Sequence, residues 1–136
     1  MTRYAARTKV PVSKSRMEIE AAVKKYGATG FGSGWMTTPG QKDRAVVQFQ
    51  IAQRQVRFSL HMDPKVEERQ KWRALLLVVK AKLEAVDAGI ATIEQSFFAE
   101  IVHPETGQTV YEMASKQLAL AYEQGTSMPL LPGVAT

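Results

Sequence analysis

The sequence predicts an α+β fold in which a three-stranded antiparallel sheet packs in two layers on a long central helix, with three further helices completing the core. Two observations carry this prediction. Residues 71–86 have apolar side chains at helical spacing, and residues 30–62 change from helical to strand periodicity. At 136 residues the chain is long enough for one domain with a proper core. We expect a flexible basic arm at 1–12, the domain at 13–125 and an apolar tail at 126–136.

The central helix is predicted from its apolar residues, which recur with a period of about 3.6. These residues are Trp72, Leu75, Leu76, Val79, Leu83 and Val86. Asp63 is a suitable N-cap and Pro64 a suitable first helical residue, because proline lacks the amide hydrogen that this position leaves unbonded. The helix is therefore expected to run from residue 64 to about Ala88.

A first helix is expected to begin near Ser13 or Ser15, where Ser15 and Glu18 have the spacing of a capping box. Gly27 is placed to end this helix. Its buried stripe is predicted to be Ile19, Ala22, Val23 and Tyr26.

Two more capping boxes, Thr92–Gln95 and Thr109–Glu112, predict helices three and four, and Gly125 ends the last of them. Very short strands are expected at 101–102 and 108–109, on either side of a turn. The inward side chains of helix three are predicted to be Ile90, Ile93, Phe97 and Ile101. Those of helix four are predicted to be Val110, Ala114, Leu118 and Ala121.

The strands are predicted at 30–36, 44–51 and 56–62, where large or apolar residues alternate with small or polar ones. Residues 52–55 are short enough for a tight hairpin although they lack Asn-Gly. The apolar face is predicted to carry Ala45, Val47, Phe49, Ile51, Val56, Phe58 and Leu60. Phe31 and Trp35 are expected to point inward because large aromatic side chains are usually buried; pointing outward, they would offer stacking surfaces.

The basic residues are concentrated in the first part of the chain. Residues 1–82 contain 17 bases and 6 acids, a net charge of +11, whereas residues 83–136 contain 1 base and 7 acids, a net charge of −6. Charges within one molecule or between copies can complement each other in this way, and a basic surface can bind a phosphate-bearing partner. Both interpretations stay open at this point.

No catalytic or metal-binding motif occurs in the sequence. His61 and His103 are the only histidines, and there is no cysteine. No His-Glu-x-x-His, P-loop, dinucleotide fingerprint or nucleophile elbow is present. We therefore expect a protein that is not an enzyme and has no metal site and no cofactor. The longest apolar run, residues 74–79, predicts neither a signal peptide nor a membrane span.

The pattern in the sequence that most strongly indicates a function is a set of cationic side chains. Arg44 and Arg57 are expected on the polar face of the sheet. Arg69, Arg73 and Lys80 are expected along the central helix beside Trp72, and the arm carries Arg3, Arg7 and Lys9. Cations interleaved with aromatic rings are suited to contacting phosphates and stacking on bases. Lys80 and Glu84 are four residues apart and are expected to form a salt bridge at the core edge; an acid–base role for Glu84 is the alternative.

Several stretches resemble a widespread family of small uncharacterised proteins of tailed bacteriophages and prophages. The matching stretches are residues 13–20, 25–28, 56–58, 72–75, 80–84, 89–92 and 130–133. The connection at 62–71 is shorter than we expect in many members. The resemblance implies a phage context, with a cytoplasmic location in the infected bacterial host, and it carries over no catalytic residues.

The leading hypothesis is a non-enzymatic phage protein that binds single-stranded nucleic acid through Arg44, Arg57, Arg69, Trp72, Arg73 and Lys80. The alternative is an oligomeric counter-defence protein that sequesters a small nucleotide signal in a pocket lined by Arg57, Trp72 and Lys80, or that inhibits a host defence protein. A third is a structural subunit that assembles through its tail and its opposed charges. A homo-oligomer, a dimer, is expected, and no membrane partner.

Overall fold

The computed structural model describes residues 10–63 and 65–125. The predicted arm residues before Val10, the tail after Gly125 and Pro64 lie outside the described residues. The elements in chain order are α1 (Val12–Lys25), β1 (Gly30–Met36), β2 (Arg44–Ile51), β3 (Arg54–His61), α2 (Glu68–Asp87), α3 (Ile93–Ser96), a 3₁₀ turn (Phe98–Glu100) and α4 (Val110–Gln124).

The three strands form the predicted antiparallel sheet, in the order β1-β2-β3. Val47 of β2 lies opposite Ser33 of β1 and Phe58 of β3, so these three residues share one face. The hairpin between β2 and β3 turns on two residues, Ala52 and Gln53, whose φ angles are 50° and 61°. The α+β prediction is thus confirmed, and β3 begins two residues earlier than expected.

One core joins the apolar face of the sheet to the helices. It contains side chains of β2, β3, α1 and α2, together with Phe97. The Phe97 ring meets Phe49 edge-on at 5.6 Å and Phe58 edge-on at 6.2 Å between centroids. Because Phe97 follows α3, this contact fixes the segment after α2 against the same face of the sheet.

Two helices begin at different places from those predicted. Pro11 is the N-cap of α1, and Ser15 lies inside the helix with a buried hydroxyl, so the capping box at Ser15 does not form. The reason is that Val12 packs against the core and extends the helix by a turn. Asp63 is not the N-cap of α2, because its carboxylate accepts the Lys65 amide within a separate turn, and α2 begins at Glu68.

The capping box of α3 forms as predicted, but this helix has only four residues before the 3₁₀ turn. Its predicted inner face is correct for Phe97 and Ile101 and wrong for Ile90, which is 79% exposed. Gly89, with a φ of +76°, turns the chain so that Ile90 leaves the core side.

The chain then passes around the edge of β3. The Val102 amide donates to the Gln55 carbonyl at 2.8 Å, and Val102 also forms a bridge with Thr109. The predicted capping box at Thr109 starts α4, and Gly125, in a left-handed conformation, ends it. The inward position predicted for Leu118 is wrong, since it is 47% exposed; the buried side chain of the helix is Met113, which is 9% exposed.

Candidate ligand-binding groove

The face of the sheet opposite the core forms the floor of an open groove of about 580 Å³. Alternation along the strands puts Arg44, Val46 and Gln48 of β2 on this face, with Arg57 of β3 opposite Gln48. On β1, a Cβ added to Gly32 or Gly34 would meet no heavy atom within 4 Å. The groove is therefore wide above β1 because two of its residues have no side chain.

Arg57 connects the sheet to the start of α4. Its Nη2 donates to the Gly107 carbonyl at 2.8 Å and to Oε1 of Glu112 at 2.9 Å. Burial alone would raise the pKa of Glu112, but the Thr109 amide and the positive charge of Arg57 stabilise the carboxylate and hold its pKa below the ordinary value. At neutral pH, Glu112 therefore neutralises much of the charge of Arg57.

Arg44 is the cation in this groove without a carboxylate partner among residues 10–63 and 65–125. Its Nη2 lies 2.8 Å from the sulfur of Met36, a weak acceptor, and its Nε is buried without a hydrogen-bond partner. An arginine normally has its donors satisfied by carboxylates, carbonyls or anions. Its position at the groove floor leaves Arg44 able to hold an anion.

A second cavity, of about 310 Å³, continues the groove past β3. Arg44, Arg57 and Glu112 line both cavities, so the two arginines stand at the junction. The second cavity is also lined by Ser59, His61, Glu100 and Tyr111. The continuous surface made by both cavities is called the sheet groove below.

Glu100 adds a carboxyl group with an unusual environment to the sheet groove. Burial raises its pKa, and Lys82, whose Nζ is 3.7 Å from Oε1, opposes this shift only in part. The same oxygen is buried without a hydrogen-bond partner. The Glu100 carboxylate is therefore incompletely stabilised in the folded protein.

The predicted site residues of the central helix lie elsewhere. Trp72 is only 3% exposed and belongs to the core, so the prediction that its ring contacts a ligand is wrong. The apolar stripe of α2 takes the indole inward. Arg69 and Arg73 are on the helix as predicted but are paired, with Glu67 at 3.1 Å and with Glu18 at 2.8 Å.

Lys80 lines a separate groove of about 430 Å³ between α1 and α2, together with Lys25, Tyr26 and Glu84. Lys80 and Glu84 are both exposed, and no ion pair joins them, so the predicted salt bridge at a core edge is not present. The predicted nucleotide pocket of Arg57, Trp72 and Lys80 is not assembled either, because these residues lie in the sheet groove, the core and the α1–α2 groove.

The two aromatic side chains of β1 have different environments. Phe31 packs against the core as predicted. Trp35 is 63% exposed, so its predicted burial is wrong. It lies near the end of the edge strand β1 and lines the groove above β1 and β2.

Sequence reasoning did not identify Tyr111 or Glu112 as groove residues. Glu112 was recognised only as part of a capping box, and its contact with Arg57 joins residues 55 positions apart. Tyr111 lies within the same box, just before Glu112, and is off the predicted inner face of α4. Its position outside the predicted inner face was the feature of the sequence that indicated an exposed side chain.

The charge asymmetry of the chain is partly satisfied within the molecule. Of the five ion pairs among the described residues, three join a base of residues 1–82 to an acid of residues 83–136. These three are Arg54–Glu94, Arg57–Glu112 and Lys82–Glu100. Intramolecular complementarity thus accounts for part of the pattern.

Within the described part of the chain, no helix has the length and apolar character needed to cross a membrane. No group of three or more His, Asp or Glu side chains in that part is arranged to hold a metal ion. Comparison with models of protein families, with curated proteins and with solved structures found no match.

Proposed function

We propose that this protein binds single-stranded nucleic acid in the sheet groove and acts in the cytoplasm of a phage-infected bacterium. The observation that carries the proposal is Arg44, a cation on the groove floor without a carboxylate partner in the described chain. Arg57 lines the same two cavities and contributes the part of its charge that Glu112 leaves uncompensated.

The shape of the sheet groove favours a polymer over a small molecule. Small-ligand sites are usually concave and enclose most of the ligand. The sheet groove is open and runs from β1 past the edge of β3, a form suited to an extended backbone. Binding of a strand along a groove needs no catalytic group, in keeping with the expectation of a non-enzymatic protein.

The proposed binding site contains fewer residues than the site predicted from the sequence. Arg44 and Arg57 stay in it. Trp72 is not part of the proposed site because it is buried. Arg69 and Arg73 are not part of it because they are paired with acidic side chains. Lys80 lies in the α1–α2 groove and becomes a control position.

The test is fluorescence anisotropy with a labelled single-stranded oligonucleotide at low salt. Arg44→Gln removes the unpaired cation, and we expect binding to weaken several-fold, whereas Lys80→Gln removes the same charge from the other groove and should leave binding unchanged. Equal effects of the two substitutions would show that only net charge matters. Tight binding of a mononucleotide, without oligonucleotide binding, would support the alternative function.

A steric variant tests the same groove without changing its charge. Gly34→Val places a side chain in open space above the groove floor, so it should leave the fold intact while obstructing the ligand. Gly30→Val is the matched control, because Gly30 is on the same strand and face but does not line the sheet groove. If Gly34→Val binds as well as Gly30→Val, the ligand does not occupy the groove.

A further inference from the structure

We propose that Tyr111 is a stacking platform for one unpaired base of the bound strand, with an adjacent phosphate held by Arg44; this inference rests on the proposed function. Tyr111 lines the cavity at the β3 end of the sheet groove together with both arginines. It is 66% exposed, so much of its side chain is accessible to a ligand.

The backbone that carries Tyr111 is firmly held. Thr109, only 7% exposed, accepts from the Glu112 amide at 3.1 Å, while Glu112 accepts from the Thr109 amide at 2.8 Å. The Val110 amide donates to the Ile101 carbonyl at 2.9 Å. An exposed ring on a fixed backbone loses little conformational freedom when a base stacks on it.

The distribution of charged side chains indicates which part of the sheet groove holds the phosphate and which part holds the base. Arg44, Arg57 and Glu112 line both cavities, but only the cavity at the β3 end, where Tyr111 lies, also contains Glu100, whose carboxylate disfavours a phosphate there. Arg44 borders the part above β1 and β2, where the described groove lining has no carboxylate other than Glu112. A neutral base stacked on Tyr111 is not repelled by the carboxylates, and its phosphate can contact Arg44 in the other part of the groove.

This arrangement requires an unpaired base, since a base in a duplex is already stacked on its neighbours and its faces are covered. Stacking of a base on an aromatic side chain is also tolerant of sequence. The ligand class is therefore single-stranded nucleic acid with accessible bases, without a fixed sequence.

Tyr111→Ala, Tyr111→Phe and Tyr122→Ala test the inference. Tyr122 is the matched control, because it is an exposed tyrosine on the same helix that lines neither cavity of the sheet groove. Each variant is titrated against two labelled strands of equal length and charge, one with bases and one abasic, and against a duplex. Thermal melting checks that each variant is folded.

We expect the native protein to bind the strand with bases about tenfold more tightly than the abasic strand. Tyr111→Ala should reduce this difference by weakening only the first, whereas Tyr111→Phe and Tyr122→Ala should keep it. The inference is overturned if Tyr111→Ala weakens both strands equally or neither, or if the duplex binds as tightly as the single strand. If the native protein binds no nucleic acid, the proposed function fails and this inference fails with it.

Discussion

At the residue scale, Glu100 has a carboxyl group that the fold stabilises poorly. Its folded-state pKa is above the ordinary value of 4.5 because burial disfavours the charged form. Between that value and the folded-state pKa, the folded protein keeps a proton that the unfolded chain has released. Stability therefore falls as the pH rises through this window.

Glu100→Gln should remove this pH dependence. We expect its free energy of unfolding to match that of the native protein in acid and to exceed it by up to about 1 kcal/mol at neutral pH. Lys82 keeps other contacts in the variant, because its Nζ donates to the Ser96 carbonyl at 2.8 Å and lies 5.9 Å from the Phe97 ring centroid. Urea unfolding at several pH values measures the difference.

Glu94→Gln is the control for this prediction. Glu94 is also in an ion pair, with Arg54, but both side chains are about half exposed, and such pairs contribute only about 0–1 kcal/mol. Glu94→Gln should therefore leave the free energy of unfolding at neutral pH unchanged or lower it by up to about 1 kcal/mol. A loss of stability in Glu100→Gln at neutral pH would mean that the ion pair with Lys82 outweighs the cost of burial.

At the element scale, most of the fold follows from local signals that act over a few residues. The strands were predicted from their alternation, and two helices from capping boxes that form at Thr92 and Thr109. The α1 start was not predictable from Ser15 because the packing of Val12, a tertiary contact, decides it. The two-layer packing stays a prediction.

The sheet groove was predictable only in part for the same reason. Alternation put Arg44 and Arg57 on one face of the sheet. It could not show that Glu112 reaches Arg57 from a later helix, because this contact depends on how the chain passes around β3. The helical spacing put Trp72 in the apolar stripe, which favoured its burial, but it could not show that Arg73 pairs with Glu18 of α1.

The hairpin between β2 and β3 contains avoidable backbone strain. Ala52 and Gln53 both have positive φ, which is unfavourable for residues with a Cβ and favourable for Asn-Gly. Replacing the pair by Asn-Gly should raise the free energy of unfolding by about 1–2 kcal/mol, because the turn geometry is kept and the strain is relieved. Urea denaturation measures this gain.

Gln53→Ala separates strain from other effects of the loop. It removes the side chain beyond Cβ but leaves the residue in the same unfavourable region, so it should give no gain. If Gln53→Ala stabilises the protein as much as Asn-Gly does, the benefit does not come from the backbone angle.

At the scale of the whole molecule, the net charge of residues 1–82 overstates the number of cationic side chains that are available to bind a ligand. Residues 1–82 carry a net +11, yet four of their arginines and one lysine are paired with acids in the described chain. Three of those acids come from the later part of the chain. The basic surface that a nucleic acid meets is therefore smaller than the sequence suggests.

The salt dependence of binding measures how many cations meet the strand. For single strands, the logarithm of the affinity falls with the logarithm of the salt concentration with a slope of about −0.7 for each phosphate neutralised. With Arg44 and Arg57 as the contacts from the described groove, we expect a slope of about −1.5. Each contact from Arg3, Arg7 or Lys9 would steepen it by about 0.7.

Two variants with the same net charge show which arginine contributes to the salt dependence of binding. Arg44→Gln should reduce the steepness of the slope by about 0.7, whereas Arg69→Gln should leave it unchanged, because Arg69 is paired with Glu67 and lies outside the sheet groove. Anisotropy titrations at four salt concentrations give each slope. A native slope near zero would contradict phosphate binding altogether. A slope much steeper than −4 would mean that paired arginines also exchange their acids for phosphates.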